Sequence, residues 1–211
     1  MTFQEQLTGS FKLTQCISRV NDVAKYQLKI PQDRADHLRD AFSYAQLTSK
    51  LAVIKHLKDI KDSNTIILGQ WHGMLGLMLQ KFNISKNIIG IELDKFWHDF
   101  SQHIILEDYT GIHADVTQVE LWEHLIVPDN NLIINTSCEH MTWDWLNFKR
   151  ESTNGTLYVQ SNNYKIDEHI NILDSEEKLA TIIENHGFTV TDVNCIKFSP
   201  YDRYCVVAKW N

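Results

Sequence analysis

The end of the chain limits the possible folds most strongly. Two strand-like stretches, 188–198 and 204–210, are joined only by residues 199–203. A connection this short cannot carry the chain across a sheet into a parallel pairing, so the two stretches must form an antiparallel hairpin. Ahead of the hairpin, strand-like and helical stretches alternate from Thr65 onward. Such alternation is typical of a parallel sheet covered by helices on both faces.

Five strands are expected before the hairpin. The first is a short β-rich run, the second has the apolar pattern of a buried parallel strand, and helical stretches separate the strands. The predicted strands are 65–68, 87–92, 109–113, 132–135 and 156–160, and the predicted helices are 74–82, 95–105, 119–125 and 175–186. The sequence therefore predicts an α/β fold whose seven-stranded, mostly parallel, doubly wound sheet ends in an antiparallel hairpin.

The first 60 residues lack this alternation and favour helices. Pro31 fits the start of a helix over 32–45, because the N–H that proline lacks is unpaired in the first turn anyway, and a second helix is expected over 49–60. Four residues could share one face of an earlier helix: Phe11, Leu13, Cys16 and Ile17. We therefore expect an N-terminal helical extension over 1–60, followed by a main domain over 61–211.

Charge and composition exclude several classes of protein. The formal net charge is -7, yet residues 1–64 carry ten Lys or Arg and seven Asp or Glu. The acidic remainder is a poor general binder of nucleic acid, because phosphate contacts need clustered cations, whereas the basic N-terminal part leaves such a role open. No apolar run reaches the roughly 18 residues of a membrane span, so no membrane partner is expected. Four cysteines without a CxxC pair indicate reduced thiols in a cytoplasmic protein. No particular oligomeric state is predicted.

The carboxyl ends of the first three strands carry a candidate nucleoside site, since ligands of open parallel sheets bind there. The run Gly69-Gln70-Trp71-His72-Gly73 follows the first strand, and its glycines allow the backbone to approach a ligand closely. Glu92, 23 positions after Gly69, ends the second strand. A carboxylate there can accept hydrogen bonds from both ribose hydroxyls. Asp115 follows the third strand.

These three sites in this order, together with the terminal hairpin, resemble the class I S-adenosylmethionine-dependent methyltransferases over about residues 47–211. The resemblance implies that S-adenosylmethionine is the cofactor. Gly69, Gln70, Trp71 and Gly73 would then surround its methionine part, while Glu92 and Asp115 would bind the ribose and the adenine amino group. Trp71 and His72 depart from the smaller residues usual in this loop. A dinucleotide dehydrogenase would have a further strand, helix and strand in place of the hairpin.

The most polar segment of the chain, Asn135-Thr136-Ser137-Cys138-Glu139-His140, follows the fourth strand. The resemblance places the catalytic loop here. Family members that methylate exocyclic amines have Asn or Asp, two prolines and an aromatic residue, of which only Asn135 is present, so the acceptor stays open. Asn135 is expected to orient the acceptor and to contact the cofactor, with Ser137 as an extra hydrogen-bond partner. Glu139 or His140 is expected to act as general base.

Polar residues after the fifth strand lie at the same edge of the sheet. Amide side chains both donate and accept hydrogen bonds, so we expect them to contact a small-molecule or nucleobase substrate, a plain polar turn being the alternative. The predicted contacts are Gln160, Asn162, Asn163, Tyr164 and His169. No metal is predicted, because the possible zinc ligands match no compact metal motif. Those ligands are His72, Cys138, His140 and His169.

The leading hypothesis is methyl transfer to a nitrogen or oxygen of an unidentified polar acceptor. Residue types identify the acceptor poorly, because the sulfonium is already activated and alignment supplies much of the rate. Two alternatives stay open. One is a different reaction of the same cofactor, either aminocarboxypropyl transfer or a lyase reaction. The other is a catalytically silent, cofactor-binding subunit.

Overall fold

The computed structural model describes residues 3–27, 30–60, 63–85, 87–105, 108–122, 125–126, 130–148 and 154–210. The described α-helices are α1 Phe3–Asp22, α2 Gln32–Asp40, α3 Tyr44–His56, α4 Met74–Lys81, α5 Lys95–Ile104, α6 Val119–Trp122 and α7 Glu176–Asn185. The strands are β1 Asn64–Leu68, β2 Ile88–Glu92, β3 Tyr109–His113, β4 Asn131–Asn135, β5 Gly155–Asn162, β6 Thr189–Lys197 and β7 Asp202–Trp210. A π-helical turn, Val23–Gln27, and two 3-10 turns, Cys138–His140 and Trp143–Phe148, complete the elements.

The sheet has the topology expected from the sequence. Its strands are ordered β3-β2-β1-β4-β5-β7-β6. The pairs β2–β3, β1–β4 and β4–β5 are parallel, whereas β7 is antiparallel to both β5 and β6. The predicted α/β fold, with a seven-stranded, mostly parallel sheet and a C-terminal hairpin, is confirmed. The short link decides this hairpin, because a linker of a few residues permits only the antiparallel return.

The contacts between residues divide the chain into two compact units. The first unit comprises Met1–Asp62 and Gln70–His113, and the second comprises Ser63–Gly69 and Ala114–Asn211. The division between a 1–60 extension and a 61–211 domain stays a prediction.

The first unit has a core in which α1 packs against α4. Cys16 and Val20 of α1 and Val23 of the π-helical turn that follows it are fully buried, so the inner face of α1 follows the first two positions. The predicted face was right for Cys16 and wrong for Phe11, whose side chain is 64% exposed. Because this stretch contains few apolar residues, their periodicity was too weak to identify the buried face of the helix.

The two helices that follow Pro31 have different boundaries from those predicted. α2 ends at Asp40 and α3 already begins at Tyr44, so the predicted boundaries at residues 45, 49 and 60 were wrong. The reason is Ser43, whose hydroxyl accepts a hydrogen bond from the backbone N–H of Gln46 at 3.3 Å. Such an N-cap satisfies an otherwise unpaired N–H and starts a new helix.

The second unit is built on a fully buried central strand. All five residues of β4 are buried, and Leu68 of β1 and Val159 of β5 lie opposite Asn135. α7 packs on the hairpin, with Ser175 as N-cap and Gly187 in the left-handed conformation after its end, as predicted. The predicted helix over 119–125 is described as Val119–Trp122, and residues 123–124 lie outside the described residues.

No helix in the described ranges combines the length and the apolar character that crossing a membrane requires. The cytoplasmic location stays a prediction.

Candidate functional site

Glu92 organises the loop that follows β1. Its side chain is 9% exposed, and its two carboxylate oxygens accept hydrogen bonds from the backbone N–H groups of Trp71, at 2.7 Å, and Asp94, at 2.9 Å. Burial raises the pKa of Glu92, while these two N–H groups act in the opposite direction. Each carboxylate oxygen has a second lone pair, so the side chain can still accept bonds from ribose hydroxyls.

The loop backbone is left-handed at three positions. Gly69, Trp71 and Gly73 have φ angles of 58°, 53° and 81°. Trp71 is the unusual residue, because a bulky side chain rarely adopts this conformation, and the bond from its N–H to Glu92 holds it there. Strained backbone of this kind concentrates at ligand sites.

Gln70 is held within the first unit by its own side chain. Its amide Nε2 donates to Ser101 Oγ at 2.6 Å and to the Tyr109 hydroxyl. Gly90 makes room for it, because a Cβ at Gly90 would lie 1.8 Å from Gln70 Oε1. Since these donors are already used, a contact of Gln70 with the cofactor stays a prediction.

His72 and Lys50 are functional candidates that the sequence analysis did not single out for the cofactor. His72 is fully buried, and burial lowers its pKa well below the usual range, with Lys50 adding to the effect. Its Nδ1 accepts a bond from the N–H of Met74, so the proton of the neutral ring lies on Nε2. Lys50, 8% exposed, lies on α3 with its Nζ 5.7 Å from the Trp71 ring centroid. No local pattern in α3 marks this lysine.

Replacing Gly73 by alanine is expected to destabilise the protein by about 1–3 kcal/mol. Its φ of 81° disfavours any side chain, and a Cβ would lie 2.9 Å from the Cβ of Ser101. The control is Gly9→Ala in α1, where no atom lies within 4 Å of the added Cβ. That change should stabilise the helix by about 0.5–1 kcal/mol. Urea unfolding of both variants measures the difference, and equal stabilities would show that the loop tolerates another conformation.

The turn after β4 lies in the second unit and contacts the end of β1. Asn135 is fully buried, with its Oδ1 accepting from the N–H of Ser137 at 2.9 Å and its Nδ2 3.2 Å from Met141 Sδ. The Ser137 hydroxyl lies 3.5 Å from the carbonyl oxygen of Gly69. Three predicted site residues, Gly69, Asn135 and Ser137, are therefore neighbours.

Glu139 is buried next to an arginine that the sequence analysis missed. Its side chain is 3% exposed, and Oε1 accepts a bond from Asn162 Nδ2 at 2.6 Å and lies 3.7 Å from Arg203 Nη1. The pKa of Arg203 is raised, because Glu139 and Tyr201 outweigh the opposing effect of burial. Asn162 and Arg203 are opposite each other on β5 and β7, and both strands extend beyond their predicted ends.

His140 and His169 lie beside Glu139. Their ring centroids are 4.7 Å apart, and His169 Nδ1 donates to the carbonyl oxygen of Tyr164 at 2.7 Å. Desolvation of the ring lowers the pKa of His140, while Glu139 acts in the opposite direction. The two segments are also joined through the backbone, since the carbonyl oxygen of Glu139 accepts bonds from the N–H groups of residues 170 and 171.

The remaining predicted residues of the second unit have local partners. Gln160 is fully buried and donates to the Tyr158 hydroxyl at 2.9 Å, which puts its side chain inside the unit. Asn163 exchanges hydrogen bonds with the backbone of Asp202. Asp115 Oδ1 accepts from both the N–H and the hydroxyl of Thr117, and its second oxygen has no hydrogen-bond partner among the described residues. Burial raises the pKa of Cys138 well above its usual range, which favours an unreactive thiol.

No protein-family model and no curated protein sequence matches the chain. Solved structures are similar in fold. An S-adenosylmethionine-dependent methyltransferase from Aquifex aeolicus is 14% identical with a TM-score of 0.60, over 82% of this chain and 97% of that one. The magnesium protoporphyrin IX methyltransferase of Synechocystis PCC 6803, solved with bound cofactor, is 9% identical with a TM-score of 0.60, over 100% and 99%.

A third similar structure is a Haloferax volcanii methyltransferase described as putative and solved in complex with the Trm112 activator. It is 11% identical with a TM-score of 0.63, over 83% of this chain and 95% of that one. At these identities the likeness concerns the fold. The chain has the class I methyltransferase fold that its sequence resembled.

Proposed function

We propose that this protein transfers the methyl group of S-adenosylmethionine to a nitrogen or oxygen of a polar acceptor. The observation that carries the proposal is Glu92. Glu92 ends β2, is almost fully buried, and accepts a hydrogen bond from the N–H of Trp71 in the glycine loop. Gly69 and Gly73, which lie on either side of Trp71, have left-handed backbone. Similar solved structures contain the cofactor or its demethylated product, S-adenosylhomocysteine. The cofactor-binding residues we assign are Gly69, Gln70, Trp71, Gly73, Glu92, Asp115 and Asn135.

We assign the acceptor chemistry to the segment after β4. Asn135 and Ser137 would orient the acceptor, and Glu139 or His140 would accept the proton that the acceptor loses. The hydrogen bond between Asn162 and Glu139 and the contact between His140 and His169 support a shared role for these side chains. The residues we assign to the acceptor are Gln160, Asn162, Asn163, Tyr164 and His169.

Replacing Glu92 by alanine is expected to weaken S-adenosylmethionine binding about 10- to 150-fold. A hydrogen bond to a charged group contributes roughly 1.5–3 kcal/mol, and each 1.4 kcal/mol is tenfold in affinity. Isothermal titration calorimetry of the full chain measures the change. Glu92→Gln retains one acceptor oxygen and should lose less affinity than Glu92→Ala.

The control for this experiment is Glu177→Ala, which removes an exposed carboxylate from α7 and should leave the affinity unchanged. Unfolding curves of all variants are needed, because Glu92 also holds the loop backbone. If a folded Glu92→Ala variant binds the cofactor as well as the wild type, Glu92 is not a cofactor ligand.

Product analysis separates methyl transfer from the other reactions of this cofactor. Incubation with S-adenosylmethionine and candidate acceptors should produce S-adenosylhomocysteine. Methylthioadenosine as the product would instead indicate aminocarboxypropyl transfer or a lyase reaction. The similar structures are methyltransferases, which supports the first outcome.

A further inference from the structure

The second unit contains three side chains of the kinds that ligate metals. Glu139, His140 and His169 each offer one ligand atom, and these three atoms lie within 4.8 Å of one another. We propose that this cluster binds one divalent transition-metal ion with the ligand preferences of Zn²⁺.

The first argument is a buried carboxylate oxygen that lacks a partner. Glu139 is 3% exposed, and its Oε1 is bonded to Asn162 while Oε2 has no hydrogen-bond partner among the described residues. Leaving a charged oxygen buried and unpaired is costly. A bound cation would satisfy this oxygen directly.

The second argument is the hydrogen-bonding state of His169. His169 donates its Nδ1–H to the carbonyl oxygen of Tyr164, which leaves Nε2 with a free lone pair. His140 lies beside this ring, with the two ring centroids 4.7 Å apart. Metal-binding histidines almost always donate their other ring N–H in this way, because the bond fixes the tautomer and the ring orientation. The His169 ring is therefore held as a ligand would be.

The ligand set decides the kind of metal. Two imidazoles and one carboxylate suit Zn²⁺ and similar transition metals, whereas Mg²⁺ and Ca²⁺ prefer sites made of oxygen. Arg203 opposes any cation, but it approaches Oε1, the oxygen that Asn162 also holds, and not the unpaired Oε2. The positive charge of Arg203 also competes with a cation for the Glu139 carboxylate. We therefore expect weaker metal binding than the same three ligands would give without a neighbouring arginine.

A metal ion at this cluster would favour one class of methyl acceptor, an inference that rests on the proposed methyl transfer. Three protein ligands leave a coordination position open, as in catalytic zinc sites. A hydroxyl bound there would lose its proton to a water molecule near neutral pH, because a metal ion would lower the pKa of a bound hydroxyl group as it does that of bound water. The oxygen would then form a bond to the methyl carbon while the carbon–sulfur bond breaks and its electron pair stays on sulfur. A hydroxyl acceptor fits this arrangement, and Glu139 and His140 would act as ligands in place of a general base.

Cobalt titration of the chelator-treated full chain tests the site. We expect one Co²⁺ per chain by calorimetry, with the visible absorption bands of a cobalt ion bound to protein ligands, and no saturable binding of Mg²⁺. His140→Ala and His169→Ala should each weaken Co²⁺ binding at least 10-fold, and Glu139→Gln should do the same if it folds. The control is His186→Ala, whose ring donates to the Ile182 carbonyl in the same way and belongs to no metal-ligand cluster of three or more among the described residues.

The proposal is overturned if the wild type shows no saturable one-to-one binding, or if the His140 and His169 variants bind Co²⁺ like the His186 variant. Calorimetry with S-adenosylmethionine on the same metal-free sample separates the two proposals. If the protein binds the cofactor but not cobalt, the metal-site proposal is rejected and the methyltransferase proposal stands. If it binds cobalt but not the cofactor, only the metal-site proposal stands.

Discussion

Replacing Arg203 by methionine is expected to lower the free energy of unfolding by about 3–5 kcal/mol. Arg203 and Glu139 are 5% and 3% exposed, and their charged groups are 3.7 Å apart. Methionine fills much of the volume of the arginine side chain but leaves Glu139 as an uncompensated buried charge. Removing one partner of a buried pair usually costs this much, mainly because of the charge that stays behind. Urea unfolding measures the change.

A second substitution tests that cause. Glu139→Gln removes the charge while its amide oxygen can still accept the bond from Asn162, so the double variant should be more stable than Arg203→Met alone. The matched control is Arg39→Met, whose ion pair with Asp36 is 78% and 72% exposed and should contribute less than about 1 kcal/mol. A loss below about 1 kcal/mol in Arg203→Met, or a double variant no more stable than the single one, would contradict the explanation.

Deleting residues 1–30 is expected to remove roughly 5 kcal/mol of stability. The deletion takes away Cys16, Val20 and Val23, which are fully buried, and each side chain of this kind contributes about 1.5–3 kcal/mol by its burial. It also exposes the surface of α4 on which α1 packs. The same urea experiment measures the loss of stability. The truncated chain should also be less soluble, because the uncovered surface of α4 is exposed.

The control is a deletion of residues 1–8, whose described side chains are exposed and should contribute little. The comparison also tests the domain division predicted from the sequence. If the chain that begins at Pro31 is as stable as the one that begins at Gly9, residues 1–30 are a separable part of the predicted extension. If it unfolds at much lower urea concentration, they belong to the core of the first unit.

Much of the fold follows from the sequence, because its signals act within a few residues. The β3 boundaries at Tyr109 and His113 are those predicted, and Ser175 and Gly187 mark the ends of α7. A five-residue link suffices to predict the antiparallel hairpin. Glu92 could be singled out because the strand pattern itself places it at a carboxyl end. Ser43 shows the limit of such reasoning, since a capping serine within an apparently continuous helical stretch was not recognised.

The neighbours of the candidate site were decided by the tertiary structure alone. Glu139 and His140 are distant in sequence from His169, and Arg203 lies in a segment that the sequence analysis assigned to a link between strands. They meet because β5 continues to Asn162 and pairs there with β7, so that the strand register carries Arg203 and Asn162 to Glu139. The composition and periodicity of each segment determined which strands and helices form. The pairing of strands far apart in the chain determined which charges and imidazoles share one site, and no local pattern encodes that register.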